Sequence, residues 1–481
     1  MHYPGSNTHN RCYSNALLFG IGALLFWGCA RSMNPDVERG TNYQYESGHP
    51  EVRLSAIGFF DEQNNPIIDI TADIVYGSLF FKRQGNKRRA NLAIELRIFD
   101  RDNDDAVIMS RRFSFDQVVD DPEIAKSQDV FTLKRNIPVD PGDYEVELTV
   151  IDQNTRRRST RVVRTQVPSA SEDVSSLTNI RMFGKRIGTG NDQWDPITTY
   201  NIPGKLDSLK FVYQMINKSD SAITINSRLL RFKTDTSVAT PMDQIYNSGA
   251  LTWGKGIDYN DREVIQSNRR VLVQEGNVSI EYYFSTFPRG NYRFEVDAEG
   301  NTDQQLFKAR DFSVKSEHYP TLKTPRELAR PLIYLMNRRE YDRLISIQDP
   351  DSLKQAVDRF WLMHVGDRRT AKSVIELYYQ RVEEANKKFT NFKEGWKTDR
   401  GMIYILFGEP WYVNEYIKRI NWSYTYNLSD PNLNFTFREA KVKSEFFPFD
   451  YYVLDRRQVY YTPHRRQVQL WLSGQILIRK L

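Results

Sequence analysis

Hydrophobic and polar positions alternate with period two over the first two thirds of the chain, and then the period changes. Within 51–167, Val52, Leu54 and Ala56 share one face, as do Ile68, Ile70, Ala72, Ile74 and Tyr76, and again Leu92, Ile94, Leu96 and Ile98. Over 143–152 the pattern is cleanest, with Tyr144, Val146, Leu148 and Val150 pointing one way. Side chains a strand places on one face recur every second residue, so these runs predict half-buried strands. Gln84, Gly85 and Asn86, and later Pro141, Gly142 and Asp143, supply turns. A break of Pro, small and polar residues over 168–172 precedes a second β stretch, 175–315. There Leu209, Phe211, Tyr213 and Met215 alternate, as do Val278, Ile280, Tyr282 and Phe284. Pro288 to Tyr292 echoes Pro141 to Tyr144: a turn, a Tyr, then alternation near the end of the stretch. The echo predicts a divergent tandem repeat of two all-β, immunoglobulin-like sandwich modules.

After about residue 318 the spacing becomes helical, predicting an α+β domain over 320–481. Asp349 and Pro350 mark a helix start, and Leu353, Ala356, Val357, Phe360, Trp361 and His364 share the following face. With no second His or Cys at ligand spacing, His364 reads as a core or boundary residue rather than a ligand. A second stripe runs Val374, Tyr378, Val382, Ala385, Phe389. Met402 to Phe407 is an unbroken apolar run between Gly401 and Gly408, which predicts a buried strand closed by the turn Gly408, Glu409, Pro410. Further strands are expected over 421–426, 434–438 and 451–454, and a last helix from Thr462 and Pro463 to near Gly474.

The densest stretch is 395–410. Gly395, Trp396, Thr398, Asp399, Arg400, Gly401, Tyr404, Gly408 and Pro410 resemble the signature of the GWxTD-domain family. Phe360 and Trp361, the run Tyr378 to Val382, and Ala385 to Phe389 are similar to what precedes that signature, so the resemblance covers roughly the last third of the chain. Where many relatives read Gly-Pro-Pro-Asp, this chain has Gly408, Glu409, Pro410 and Trp411. The resemblance implies a bacterial envelope lipoprotein of uncharacterised biochemical role.

The remaining residues bear on that implication. Asp399 beside Arg400 is held ionised, which suits a base poorly. The plainer reading is a structural knot, with Trp396 in the core, Thr398 or Asp399 capping amides and Arg400 on a carboxylate or carbonyl. Five of the eight Trp, namely Trp361, Trp396, Trp411, Trp422 and Trp471, lie in the last third. Most such rings pack a core, while Trp411 and Tyr412, in or beside a turn, are the surface candidates for stacking on a sugar or peptide. No metalloprotease, nucleophile-elbow, dithiol, P-loop or dinucleotide motif is present. No catalytic residue, metal or cofactor is assigned, and a net charge of +6 does not argue for nucleic acid. Carboxylate chemistry leaves no short motif, so a periplasmic hydrolase working on glycan or peptide through Asp399 or Glu409 stands as the alternative to a non-enzymatic binder.

Asp100 to Asp105 starts like a calcium loop but has Asp105 where a Gly and Arg111 where a Glu are required, so an acidic hairpin tip is expected. Short basic clusters, Lys82-Arg83, Lys87 to Arg89 and Arg156 to Arg158, read as solvated tips or contacts for anionic headgroups.

At the front, an apolar run over 16–28 is too short to cross a bilayer and ends in Gly28 and Cys29. It resembles a lipobox, implying a signal peptide over 1–28 and acylation of Cys29, which would discard Cys12 and leave no thiol for a disulfide. Ala30 is not acidic, which by resemblance to Gram-negative lipoproteins favours the outer membrane, facing the periplasm or the cell surface. Residues 29–50 read as a flexible tether. The expected partners are the membrane, through Cys29, and an envelope protein or glycan.

Overall fold

A computed structural model describes residues 36–40, 43–169, 175–186, 193–204, 206–218, 222–243, 256–285, 287–299, 306–440 and 448–478. The expected signal peptide and Cys29 lie outside these residues. The chain is mostly β and multidomain.

The first unit is built from β2 (Val52–Phe60), β3 (Pro66–Val75), β4 (Lys82–Gln84), β5 (Lys87–Asp100), β6 (Ala106–Val119), β7 (Val130–Pro138), β8 (Gly142–Asp152) and β9 (Arg158–Val167), after a short β1 (Val37–Glu38). A three-stranded sheet, β2-β3-β7, faces a five-stranded one, β4-β5-β8-β9 with β6 also on β5. All pairings within this unit are antiparallel. The alternating residues from both sheets form one core, with Ile68, Ile70, Leu92, Ile94, Val146 and Leu148 fully buried. The acidic run is the β5–β6 hairpin tip, where Asp104 and Asp105 hold positive φ. Lys82 to Arg89 lies on the β4–β5 hairpin itself rather than on a free loop.

The second unit comprises β10 (Ser176–Leu177), β11 (Arg181–Arg186), β12 (Asp195–Pro196), β13 (Asn201–Ile202), β14 (Leu206–Asn217), β15 (Ile223–Thr234), β16 (Ile257–Leu272), β17 (Gly276–Ser285), β18 (Gly290–Glu299) and β19 (Leu306–Val314). Again two sheets share a core, packed with stacked rings such as Phe211 on Phe294 and Tyr292 on Phe312. Val278, expected on the buried face, is exposed; Ile280, Tyr282 and Phe284 are buried. The echo between the units has a shared geometry: Tyr144 donates its hydroxyl proton to the Asp140 carbonyl, and Tyr292 to the Pro288 carbonyl, each at 2.7 Å.

The stretch expected to be a flexible tether is held by contacts along much of its described length, although Gln44 and Glu46 to Gly48 are exposed. Its β1 adds in parallel to β19. Lys308 pairs with Asp36 at 2.8 Å, Arg310 with Glu38 at 2.9 Å, and buried Arg39 with Asp311 at 3.5 Å. Further on, Arg161 and Arg157 of the first unit donate to the carbonyls of Gln44 and Gly48, and Lys387 sits over the Tyr45 ring. The low hydrophobicity that predicts disorder here is an ionic ladder satisfied by partners distant in sequence.

The third unit holds helices α1 (Pro325–Ala329), α2 (Arg338–Ser346), α3 (Pro350–Val365), α4 (Arg368–Phe389), α5 (Asp399–Phe407) and α6 (Tyr461–Leu472). An antiparallel sheet of β20 (Tyr412–Tyr416), β21 (Arg419–Ser423), β22 (Asn434–Glu439) and β23 (Tyr452–Leu454) lies beside them. Asp349 caps α3 by accepting from the Ser352 amide, and the predicted faces of α3 and α4 are inside. His364 is exposed at the end of α3, against the Phe360 carbonyl at 2.8 Å, so it is not a core residue. Of the described residues, no helix is long and apolar enough to cross a membrane, which says nothing of β-barrels.

Candidate functional site

The run Met402 to Phe407 is not a strand. It is the body of α5, and every residue in it is buried. A helix covered on all sides shows no amphipathic period, so an apolar run rich in Ile and aromatics mimics a strand. Its ends carry the decisive signals. Thr398 caps the start, accepting from the Gly401 amide at 3.0 Å while its hydroxyl donates to the Gly395 carbonyl at 2.8 Å. Gly408 ends it at φ 87°. The last carbonyls, left without intrahelical partners, are met by imported donors. Arg381 reaches the Ile405 and Leu406 carbonyls at 3.3 and 3.1 Å, and Gln467 and Trp471 reach Leu406 at 2.7 and 3.0 Å.

The motif residues then explain one another. A Cβ on Gly395 would stand 1.9 Å from the Ala385 carbonyl oxygen, and one on Gly401 would stand 1.9 Å from the Gly395 carbonyl oxygen. Both glycines are therefore places of backbone contact: at Gly395 the turn presses onto α4, and at Gly401 α5 presses onto that turn. Trp396 is buried; its amide donates to Asn386, its indole N–H to Glu394 at 3.1 Å, and its carbonyl accepts from Tyr334 at 2.7 Å. Arg400 lies between the rings of Phe389 and Tyr452 and donates to the Asp450 carbonyl. Tyr404 donates to Glu384 at 2.5 Å, and Tyr424 donates to the Gly408 carbonyl. Pro410 ends the turn leading to β20.

Asp399 is buried and pairs with Arg456 at 2.7 Å while accepting from the Leu454 amide at 2.9 Å. Its partner is Arg456, not the adjacent Arg400. Arg456 also donates to the Thr240 carbonyl of the second unit, and the Ala239 amide donates to the Lys397 carbonyl. Glu409 is exposed and paired with Lys388 at 2.7 Å. Neither carboxylate is presented as an acid or base, and this geometry gives the hydrolase alternative no support.

Glu394, one residue ahead of the motif, has no sequence signal of its own, yet it is the electrostatic centre of the joint. It pairs with Arg289 at 2.7 Å and Lys397 at 2.9 Å and accepts from the Ser316 amide at 3.0 Å. Burial works against its charge, but Lys397 and Arg289 outweigh it and hold the carboxyl down to about 2. Around it, Tyr200, Leu230, Phe232 and Ile257 of the second unit share a core with Phe392, Phe449, Tyr451 and Val453 of the third.

The surface candidates lie elsewhere. Trp411 and Tyr412 are 41% and 46% exposed, and Trp411 meets the Tyr426 ring at 4.8 Å. Tyr412 opens β20, a strand just after the turn and one that sequence reading does not foresee. Each residue of β20 is exposed, and among the described residues it is an edge that pairs only with β21. Among the described residues, no group of three or more His, Cys, Asp or Glu is placed to hold a metal.

Residues 290–473 match the family model described as the GWxTD domain. The chain thus carries a GWxTD domain, and the match begins at β18, inside the second β unit, rather than at the first helix. No curated protein matches the chain. Solved structures similar to it include red sea bream transglutaminase, at 9% identity and TM-score 0.18, covering 55% of this chain and 31% of that one. A Salmonella alpha-2-macroglobulin mutant is similar at 14% identity and TM-score 0.19, covering 58% and 18%. Fibronectin(III)-like modules of Clostridium thermocellum CbhA are similar at 13% identity and TM-score 0.15, covering 61% and 97%. The chain spans about a third of the length of the transglutaminase and less of the macroglobulin.

Proposed function

We propose that this is a lipid-anchored cell-envelope protein, non-enzymatic, that presents its GWxTD domain to a protein or glycan partner. The carrying observation is the exposed aromatic edge: Trp411, Tyr412, Tyr416 and Tyr426 face solvent in a domain whose other described Trp, Tyr and Phe rings are buried or half-buried. Aromatic rings at a sheet edge offer stacking area together with unpaired backbone groups for an incoming strand or sugar. The motif residues hold the platform and do not touch the ligand. The two β units are immunoglobulin-like modules that serve as spacers, a reading supported by the paired tyrosine corners at Tyr144 and Tyr292.

Acylated Cys29 is the anchor, in the outer membrane. Seven residue steps separate Cys29 from packed Asp36 and reach at most about 25 Å, so the body is held close to the lipid. A photo-crosslinking amino acid at position 412, in cells fed labelled palmitate, tests both halves. The expected result is palmitate on the wild type but not on Cys29→Ala, and a discrete adduct from position 412 that is missing at position 283, an exposed tyrosine of the second unit. Palmitate unchanged by Cys29→Ala removes the anchor; no adduct at 412 removes the binding face.

A further inference from the structure

A cavity of about 390 Å³ opens where the second unit meets the loop ahead of the motif. Six cations line it, Arg231, Lys233, Arg289, Lys315, Lys393 and Lys397, against three carboxylates, Asp261, Glu263 and Glu394. Five of the six have ionic partners: Arg231 with Glu263, Lys233 with Asp261, Arg289 and Lys397 with Glu394, and Lys393 with Asp235. Lys315, at the end of β19, has none among the described residues. Its Nζ donates to the Asn391 carbonyl at 2.7 Å, and the residue is 3% exposed. Phe232 and Phe392 give the cavity apolar walls, and Asn291 and Ser313 add polar groups.

We propose that this cavity binds a small molecule carrying an oxyanion, a carboxylate or a phosphate, with Lys315 as its principal counter-charge. A buried ammonium with no carboxylate in direct contact is costly, and an anion entering the cavity supplies that contact. The groups facing Lys315 agree. Burial pushes its amine well below the ordinary lysine range, Glu394 pulls it back up, and Lys397 and Arg289 push it down; Tyr200 presents only its ring, at 6.0 Å. An arriving oxyanion offsets that burial and favours the charged amine. The site is separate from the aromatic edge and does not depend on it.

Isothermal titration of the full chain with inorganic phosphate in one arm and glucuronate in the other tests this. Saturable binding of either anion is expected, and the tighter arm names the oxyanion class. Lys315→Met should weaken it at least about tenfold, the scale of a charge-assisted contact. Lys233→Gln, on an exposed side chain that does not threaten folding, should weaken it about threefold, and Asp261→Asn should tighten it by a similar factor. Absence of binding in both arms up to about 10 mM overturns the proposal, as does undiminished binding by Lys315→Met. Should that variant fail to fold, unchanged affinity in both Lys233→Gln and Asp261→Asn overturns it equally.

Discussion

The helix Asp399–Phe407 and the hairpin Tyr412–Ser423 are neighbours in sequence and similar in composition, yet the structure treats them oppositely. The helix buries every ring and every motif polar group finds a partner; the outer strand of the hairpin leaves all its residues in solvent. The contrast separates what holds the domain together from what it offers. A signature motif is easily taken for an active site. Here its glycines are backbone contacts, its threonine a cap and its aspartate half of a buried ion pair.

The comparison can be broken by substitution. The largest effect is expected from Gly401→Ala, whose new methyl meets the Gly395 carbonyl and parts α5 from the turn before it: a loss of at least about 4 kcal/mol, read as loss of cooperative urea unfolding. Asp399→Asn should follow, at about 3 kcal/mol, because buried Arg456 loses its counter-charge. Glu394→Gln sharpens the case through pH. The native carboxyl is depressed to about 2, so its stabilisation is fully present above the unfolded value near 4.5 and drains away as pH falls from there towards 2. The variant should be about 3 kcal/mol less stable at neutral pH and should show a flatter acid unfolding profile over that window. Thr398→Ala should cost about 1 kcal/mol as a lost cap. Trp411→Ala is expected to shift the unfolding midpoint least, within about 0.5 kcal/mol, while reducing the adduct at position 412.

What could be read from sequence follows the same division. Strands such as Gly142–Asp152 and Leu206–Asn217 bury one face and expose or half-expose much of the other, so their period survives in the sequence. The amphipathic helices Pro350–Val365 and Arg368–Phe389 were legible for the same reason. A helix buried all round has no such contrast, and only Thr398 and Gly408 at its ends betray it. Strand Tyr412–Tyr416 is exposed on both faces and so is equally patternless. The exposure of Trp411 and Tyr412 was foreseeable from their place beside a turn. The roles of Glu394, Arg456 and Lys315 were not, since each is defined by partners far along the chain. The described part of 36–50 misled for a related reason: Asp36, Glu38 and Arg39 spend their charges on β19, and the Gly48 carbonyl accepts from Arg157 of the first unit.

The central claim is that the motif is structural and the hairpin is the face. Its most direct test is the urea unfolding curve of Asp399→Asn, with position 412 carrying the crosslinker in the same variant. The account predicts a midpoint well below wild type, with the adduct retained at urea concentrations where the variant is still folded. A wild-type midpoint combined with a vanished adduct would contradict it, placing Asp399 in the binding chemistry rather than in the scaffold.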